Sequence, residues 1–158
     1  IAAAMSATPE RLKAVDFSKP YYHTMNLFIK RADNKELIKF EQLEGKKISA
    51  QLGTVQEMAA REIKNAQVMA IDEIFGAVMA VKNAKADALI VDSSIGYGYL
   101  KQNPDLVEFL HLPDGSEGFS FAFNKGKHTE LQAKINAAID ELKKDGTYDK
   151  LLVKYDLK

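Results

Sequence analysis

The chain has 158 residues, with 22 Lys or Arg and 22 Asp or Glu, so its formal net charge is zero at pH 7. This balance excludes proteins that attract nucleic acid or an anionic membrane through their overall charge. There is no cysteine, which excludes thiol nucleophiles, disulfides and thiolate metal sites. A hydrophobic fraction of 46% supports a genuine core, and the length fits one ordinary domain or two small lobes.

Signals for metal binding, catalysis or membrane insertion are weak. His23, His111 and His128 are not spaced as metal ligands, so we expect neither a metal nor a cofactor. No histidine neighbours a serine in a nucleophile motif, and the acidic pairs at 72–73 and 140–141 fall on predicted helices, so no enzyme is indicated. No apolar run approaches membrane-spanning length, and no signal-peptide pattern begins the chain.

The first predicted helix begins at residues 8 and 9. Thr8 is a good N-cap and Pro9 suits the first helical position. Ser6 lies in the loop before this helix, and Arg11 projects from its first turn. A carboxylate there would meet unpaired backbone N–H groups, a hydroxyl and a planar guanidinium. A capped helix with a surface arginine explains the same residues, and both interpretations stay open.

The rest of the chain alternates between strands and helices. The predicted strands span residues 1–4, 26–31, 47–51, 67–71, 86–91, 106–112 and 118–124. The predicted helices span 35–43, 54–64, 72–82, 94–102, 129–144 and 148–155, with Thr54 and Asp72 as the caps of the second and third. The βαβαβ pattern from residue 47 to 91 predicts a parallel sheet with right-handed crossovers.

Residues 51–56, Gln-Leu-Gly-Thr-Val-Gln, join a predicted strand to a predicted helix. Gly53 permits a tight turn, Thr54 offers a hydroxyl, and Val55 contributes a backbone N–H to the helix N-terminus, which suits a carboxylate. A single glycine with no following lysine excludes a phosphate loop. A well-capped crossover helix explains these residues equally well.

Asp92 follows the apolar strand at 86–91. In open α/β sheets, ligands gather outside the carboxyl ends of the strands. The carboxylate is therefore either the N-cap of the next helix or a counter-charge for a ligand. Arg11 with the helix N-termini favours a carboxylate, whereas Asp92 favours an ammonium, and a zwitterionic α-amino acid carries both groups.

These residues resemble a known family. The sequence Met-Ser-Ala-Thr-Pro-Glu-Arg at 5–11, with Val-Asp-Phe-Ser at 15–18 and Pro-Tyr-Tyr at 20–22, resembles the bacterial extracellular solute-binding proteins, family 3, of polar amino-acid ABC transporters. The match runs along the whole chain. It implies an α/β fold of the periplasmic-binding-protein type II class, with a complete lobe 2 (residues 25–118) and a partial lobe 1 (residues 1–24 and 119–158).

The resemblance also implies which residues bind the α-carboxylate and the α-ammonium of an amino acid. Ser6 and Arg11 would bind the α-carboxylate, and the Thr54 hydroxyl with the Val55 backbone N–H would complete that grip from lobe 2. The α-ammonium would pair with the carboxylate that follows the apolar strand.

That carboxylate is Asp92, and two further groups of lobe 1 would also bind the α-ammonium. They are the hydroxyl of Ser6 and the backbone carbonyl of Ala4. The side-chain contacts are less legible, although Gln51, Ser93 and Ser94 are candidates that also fit capping or solvent-facing roles.

The implied function is capture of a polar amino acid in a cleft between the lobes and its delivery to an ABC importer permease. The protein would work in the periplasm or outside the cell, as a surface lipoprotein in a Gram-positive organism, after loss of a signal peptide from its precursor. Two alternatives stay open: an enzyme like cyclohexadienyl dehydratase, and the ligand-binding domain of a sensory receptor. The given sequence ends at residue 158 without a membrane helix, so we expect the transporter rather than the sensory receptor.

The family's lobe 1 has a preceding segment that this chain lacks. We therefore expect uncovered apolar surface at residues 1–4, Leu12, Val15, Phe17 and the helix at 129–144. Exposed apolar patches and unpaired strand edges tend to find partners, which predicts either association through lobe 1, for example as a two-fold homodimer, or poor order of these lobe 1 elements.

Overall fold

The structure, a computed structural model, describes residues 1–155 and 157. The chain forms two compact units. Unit 1 contains Ile1–His23 and Gly115–Lys158, and unit 2 contains Thr24–Asp114. The chain therefore passes between units after residues 23 and 114, whereas the sequence predicts boundaries after residues 24 and 118.

Strands and helices alternate along most of the chain, as an α/β fold requires. The strands are β1 (Met5–Ser6), β2 (Val15–Phe17), β3 (Met25–Arg31), β4 (Lys47–Gln51), β5 (Gln67–Ile71), β6 (Ala88–Asp92), β7 (Leu106–Pro113), β8 (Phe119–Ser120) and β9 (Ala122–Asn124). The helices are α1 (Pro9–Ala14), α2 (Val55–Glu62), α3 (Ile74–Lys82), α4 (Ser93–Gln102), α5 (Thr129–Lys144) and α6 (Thr147–Lys154), with a 3-10 turn at Phe40–Leu43.

Unit 2 is built on a five-stranded mixed sheet in the order β5-β4-β6-β3-β7. Strand β4 pairs in parallel with β5 and β6, which confirms the parallel arrangement predicted from the βαβαβ pattern. Strand β3, which precedes that pattern, is antiparallel to both β6 and β7. The sheet is therefore parallel on one side and antiparallel on the other, and β3 lies between β6 and β7.

The core of unit 2 lies on both faces of this sheet. Alternate residues of β3 point to opposite faces: Leu27 and Ile29 pack with α3 and α4, while Phe28 packs with α2. All five residues of β6 are buried, as expected for a strand covered on both faces. Helix α4 approaches closely at Gly96, where an added Cβ would lie 2.6 Å from Leu27 Cδ2.

Unit 1 contains two antiparallel strand pairs, β1 with β8 and β2 with β9. The predicted strand at 118–124 is divided into β8 and β9 at Phe121, because Phe121 bonds to Ser18 instead of to a strand partner. The Ser18 N–H donates to the Phe121 carbonyl and the Phe121 N–H donates to the Ser18 hydroxyl, each at 2.9 Å. Phe17, which we expected to be uncovered, is buried and packs with Ala7 and Ala122.

The predicted helix at 35–43 is wrong except for its last turn. Local side chains occupy the backbone groups that an α-helix would pair. The Lys30 ammonium donates to the carbonyls of Asn34 (2.8 Å) and Leu37, and the Gln42 side chain accepts from the N–H groups of Ile38 and Lys39. Lys30 is itself buried, and burial lowers its pKa.

Two further predictions differ from the structure. Helix α3 begins at Ile74 with Glu73 as its N-cap, so Asp72 is not the cap; the carbonyl of Asp72 instead accepts from the Gln51 side chain at 3.0 Å. Residues 1–4 are not a strand, because Ala4 has a left-handed backbone (φ 48°) that interrupts the extended conformation before β1.

Helix α5 occurs where the periodicity predicts it, and Gly146 follows it with a φ of 79°. Its apolar face is only partly covered: Ile139 is buried, whereas Leu131 is 50% exposed and Leu142 is also exposed. Among the described residues, none of the helices combines the length and apolar character needed to cross a membrane.

Candidate functional site

The start of α1 in unit 1 is organised as the sequence predicts. Thr8 caps the helix by accepting a hydrogen bond from the Arg11 N–H at 3.2 Å, and Pro9 occupies the first turn. The Arg11 guanidinium donates to the Ser6 carbonyl at 3.1 Å. Because Ser6 and Thr8 are buried while Arg11 is half-buried, the segment presents a guanidinium held against its own backbone.

Ala4 lies beside this segment but differs from it in exposure. It is exposed and left-handed, two residues before the buried Ser6. Its backbone forms a hydrogen bond with Tyr21 that lowers the pKa of the tyrosine hydroxyl, although burial dominates and the pKa is raised. Ser6 and Arg11 are thus in contact in unit 1, and Ala4 precedes Ser6 by two residues in the same unit.

In unit 2, the turn between β4 and α2 is tightly bonded. The Thr54 hydroxyl donates to the Gln51 carbonyl at 2.7 Å and accepts from the Glu57 N–H at 3.2 Å, so it is the cap of α2. Gly53 takes a φ of 75°, and its N–H donates to the Glu57 carboxylate at 2.7 Å. This last bond, followed by the ion pair to Arg61, holds the pKa of Glu57 below its usual value.

Asp92 ends β6 and is 7% exposed. Its Oδ1 atom accepts three hydrogen bonds: from the Ser94 N–H at 2.9 Å, the Ser94 hydroxyl at 2.5 Å and the Thr24 hydroxyl at 2.8 Å. Asp92 is therefore the N-cap of α4. Its Oδ2 atom is buried and has no hydrogen-bond partner among the described residues, and such an unmade bond costs about 1–3 kcal/mol or more for a charged group.

The surroundings of Asp92 are neutral hydroxyls and amides. The hydroxyls of Thr24 and Ser93 are 2.8 Å apart, and the Met25 N–H donates to the Ser93 hydroxyl at 3.1 Å. These groups fix the first oxygen of Asp92 and bring no cation to the second. The carboxylate is thus buried and held in one orientation, and its Oδ2 atom lacks a hydrogen-bond partner among the described residues.

The sequence reasoning missed a buried amide pair in the same unit. Gln56, in the first turn of α2, donates from Nε2 to the Asn26 Oδ1 at 2.9 Å, and the two side chains are 6% and 4% exposed. Asn26 lies directly opposite Asp92 in the β3–β6 register. A polar residue within an apolar strand was the available signal, but its partner follows from the antiparallel pairing of β3, which the pattern did not predict.

The predicted residues of unit 2 share one edge of its sheet. Thr54 and Val55 follow β4, Asp92 ends β6, and these two strands are parallel neighbours. The six predicted residues therefore fall into two groups, one in each unit: the group that contains Arg11 in unit 1 and the group that contains Asp92 in unit 2. Within the described part of the chain, no group of three or more His, Asp or Glu side chains is arranged to hold a metal ion.

Comparisons with known proteins identify the family that this chain resembles and its fold. The model of the bacterial extracellular solute-binding proteins, family 3, matches residues 1–158. A protein of Campylobacter jejuni named "Probable histidine-binding protein" is 51% identical over 99% of this chain. The match spans 61% of that relative's length, so the chain is shorter than the proteins it resembles.

Solved structures of related proteins have the same fold. An ancestral arginine-binding protein bound to arginine aligns with a TM-score of 0.88 and 34% identity, over 96% of this chain and 68% of its own. An ancestral amino-acid-binding protein, described as a precursor of cyclohexadienyl dehydratase, aligns with a TM-score of 0.83 and 36% identity, over 96% of this chain and 65% of its own.

Proposed function

Because the chain belongs to the bacterial extracellular solute-binding proteins, family 3, and has their periplasmic-binding-protein type II fold, we propose that it binds a polar α-amino acid and delivers it to an ABC importer. The observation that carries this proposal is the second oxygen of Asp92, which is buried without a partner. A ligand ammonium would supply the missing charge-assisted hydrogen bond. Relatives named for histidine, arginine and glutamine binding support an amino acid as the ligand.

The carboxylate of the ligand would be held by Arg11 and Ser6, with Ala4 contributing its carbonyl to the ammonium. Arg11 is suited to this role because a guanidinium binds a carboxylate through two parallel hydrogen bonds. The contact between the Arg11 guanidinium and the Ser6 carbonyl, next to the capped first turn of α1, supports this assignment.

Thr54 and Val55 would assist from unit 2 in different ways. The Thr54 hydroxyl already gives its proton to the Gln51 carbonyl, so its role would be to hold the turn in place. The Val55 N–H is at the first position of α2, where helix N–H groups have no intrahelical partner and attract anions. We therefore assign the carboxylate contact to the backbone of Val55.

A binding role is favoured over catalysis. The groups around Asp92 are hydroxyls, amides and backbone N–H groups, which orient a ligand but do not exchange protons near neutral pH. The resemblance to a precursor of cyclohexadienyl dehydratase keeps a dehydratase as the second candidate. The two are separated by incubating the protein with a cyclohexadienyl substrate, which the dehydratase class converts and a binder leaves intact.

The proposed cellular location rests on the family, whose members are extracellular solute-binding proteins. We propose the periplasm, or the outer face of the membrane through a lipid anchor in a Gram-positive organism. The homodimer through unit 1 stays a prediction, supported by the exposure of Leu12, Leu131 and Leu142, and light scattering would test it.

The test of binding is titration calorimetry of the full-length protein with each standard amino acid. Arg11→Ala should make the binding free energy of the preferred ligand less favourable by about 2–5 kcal/mol, the usual loss when one partner of a buried charge pair is removed. Arg11→Lys should restore only part of it, because the planar fork is lost.

Arg31→Ala is the matched control, since Arg31 pairs with Asp33 at the exposed end of β3. It should bind like the wild type. Equal affinity of Arg11→Ala and wild type, or no response to any amino acid, would show that the proposal is wrong.

A further inference from the structure

We infer that the buried Asn26–Gln56 pair selects the ligand's side chain, and that it favours a neutral side chain with one donor and one acceptor, a carboxamide or a neutral imidazole, over a cationic one. The inference rests on the proposed function, because it assigns a side-chain class to the same amino-acid site. It goes beyond that function by naming two residues and the chemistry that they recognise.

The pair lies beside the carboxylate that lacks a partner. Asn26 and Asp92 are directly opposite each other on antiparallel strands, and residues paired in this way have side chains on the same face about 4.5–5.5 Å apart at Cβ. A ligand whose ammonium meets Asp92 Oδ2 would therefore be within reach of Asn26. The buried, unpartnered oxygen of Asp92 is the independent sign that this edge of the sheet takes a ligand.

The pair has hydrogen-bonding capacity left over. The bond from Gln56 to Asn26 uses one amide nitrogen and one amide oxygen, and no other side-chain hydrogen bond joins either residue to the described part of the chain. The unused Asn26 Nδ2 and Gln56 Oε1 atoms are not among the fully buried unpartnered atoms, which are Asp92 Oδ2 and Ser120 Oγ. Each of these two atoms therefore keeps some solvent-exposed surface. Exchanging oxygen and nitrogen in both amides leaves the same combination, one donor and one acceptor.

This combination discriminates by charge. A carboxamide or a neutral imidazole has both a donor and an acceptor, so it satisfies both free atoms of the pair. A guanidinium or an ammonium has donors only, so it would satisfy the oxygen and face the amide nitrogen donor of Asn26. Unmade hydrogen bonds in a desolvated site are costly, and sites built this way reject ligands that lack the matching group.

The experiment compares four ligands on the full-length protein by calorimetry at pH 8: glutamine, histidine, arginine and lysine. The wild type should bind glutamine or histidine more tightly than arginine and lysine. Asn26→Asp keeps the size of the side chain and an acceptor for Gln56, but it adds a negative charge and removes the free donor. We expect it to shift the ratio of affinities toward arginine and lysine by about tenfold or more, the effect of about one charge-assisted hydrogen bond.

Gln67→Glu is the matched control, since it adds the same charge at the exposed beginning of β5, the opposite end of the sheet. It should leave the ratio unchanged. A wild type that prefers arginine, or an Asn26→Asp variant that weakens all four ligands in parallel, would overturn the inference and leave amino-acid binding intact. A wild type that binds no amino acid would overturn both proposals. Unfolding curves without ligand confirm that each variant is folded.

Discussion

The substitution Asp92→Asn separates ligand binding from helix capping at a single atom. In the wild type, Oδ1 accepts the three hydrogen bonds from Ser94 and Thr24 that cap α4 and fix the side chain. The oxygen of an asparagine accepts the same three bonds in the same geometry. The change is therefore confined to Oδ2, which becomes an amide NH₂ group.

The expected loss of affinity follows from that atom. In the proposed complex, Oδ2 meets a ligand ammonium away from water, and disrupting such a pair costs about 2–5 kcal/mol. An amide NH₂ also places a donor against a donor, so we expect about 3 kcal/mol, a rise in Kd of about a hundredfold. The free energy of unfolding without ligand should change by less than about 1 kcal/mol, because the cap is kept and one buried, unpaired polar atom replaces another.

Calorimetry with the preferred amino acid measures the affinity, and denaturant unfolding without ligand measures the stability. Asp87→Asn is the matched control: Asp87 precedes the first residue of the same strand and accepts from the Lys47 N–H at 2.8 Å, at the opposite end of the sheet. It should bind like the wild type. Asp92→Ala removes the cap as well and should lose both affinity and stability.

The contrary result is equally clear. If Asp92→Asn loses stability and keeps its affinity, the side chain is a helix cap and the unpaired oxygen has no ligand. If affinity and stability are both unchanged, the charge at this position has no function in binding, and the proposed ammonium contact is wrong.

Two further predictions concern stability. Gly96→Ala should destabilise the protein by about 1–3 kcal/mol, since its Cβ would overlap Leu27 in a packed core. Gly98→Ala on the same helix has nothing within 4 Å of its Cβ, so it should be neutral or stabilising by up to about 1 kcal/mol. Equal urea midpoints for the two variants would contradict the packing described at Gly96. The lowered pKa of Glu57 means that its carboxylate stabilises the fold above the pKa of an unfolded glutamate and that this contribution disappears as the pH falls through the folded pKa. The stability difference between wild type and Glu57→Gln should therefore shrink from pH 7 to pH 3, and a difference that stays constant in denaturant unfolding at the two pH values would contradict this.

The parts of the fold that depend on local sequence could be predicted. Thr8 and Thr54 cap their helices in the structure, because an N-cap bonds to an N–H only three residues away. The βαβαβ order of unit 2 was likewise readable from alternating apolar segments. In the same way Asp92, at the end of an apolar strand, was recognisable as a candidate before its contacts were known.

The features that were missed depend on strand direction and on side-chain hydrogen bonds, neither of which is encoded in the apolar periodicity. The Asn26–Gln56 bond needs β3 to be antiparallel to β6, and helical periodicity carries no information on strand direction. The predicted helix at 35–43 failed because the ammonium of Lys30 and the side chain of Gln42 bond to its backbone. Apolar spacing favours a helix there, and local hydrogen bonds from side chains to the backbone outweigh it.

The position of β3 inside its sheet leaves this strand without a partner during part of the protein's synthesis. Strand β3 is the first strand of unit 2, yet both of its neighbours, β6 and β7, come later, with about 60 residues between the end of β3 and the start of β6. At the usual rate of about 5–20 residues per second, the ribosome adds those residues in roughly 3 to 12 s. During that time Leu27, Phe28 and Ile29, which are almost fully buried in the finished protein, have no partner strand. The nascent chain therefore passes through an interval in which this apolar segment is open to aggregation, and a chaperone that holds extended apolar segments would act on this protein at that stage.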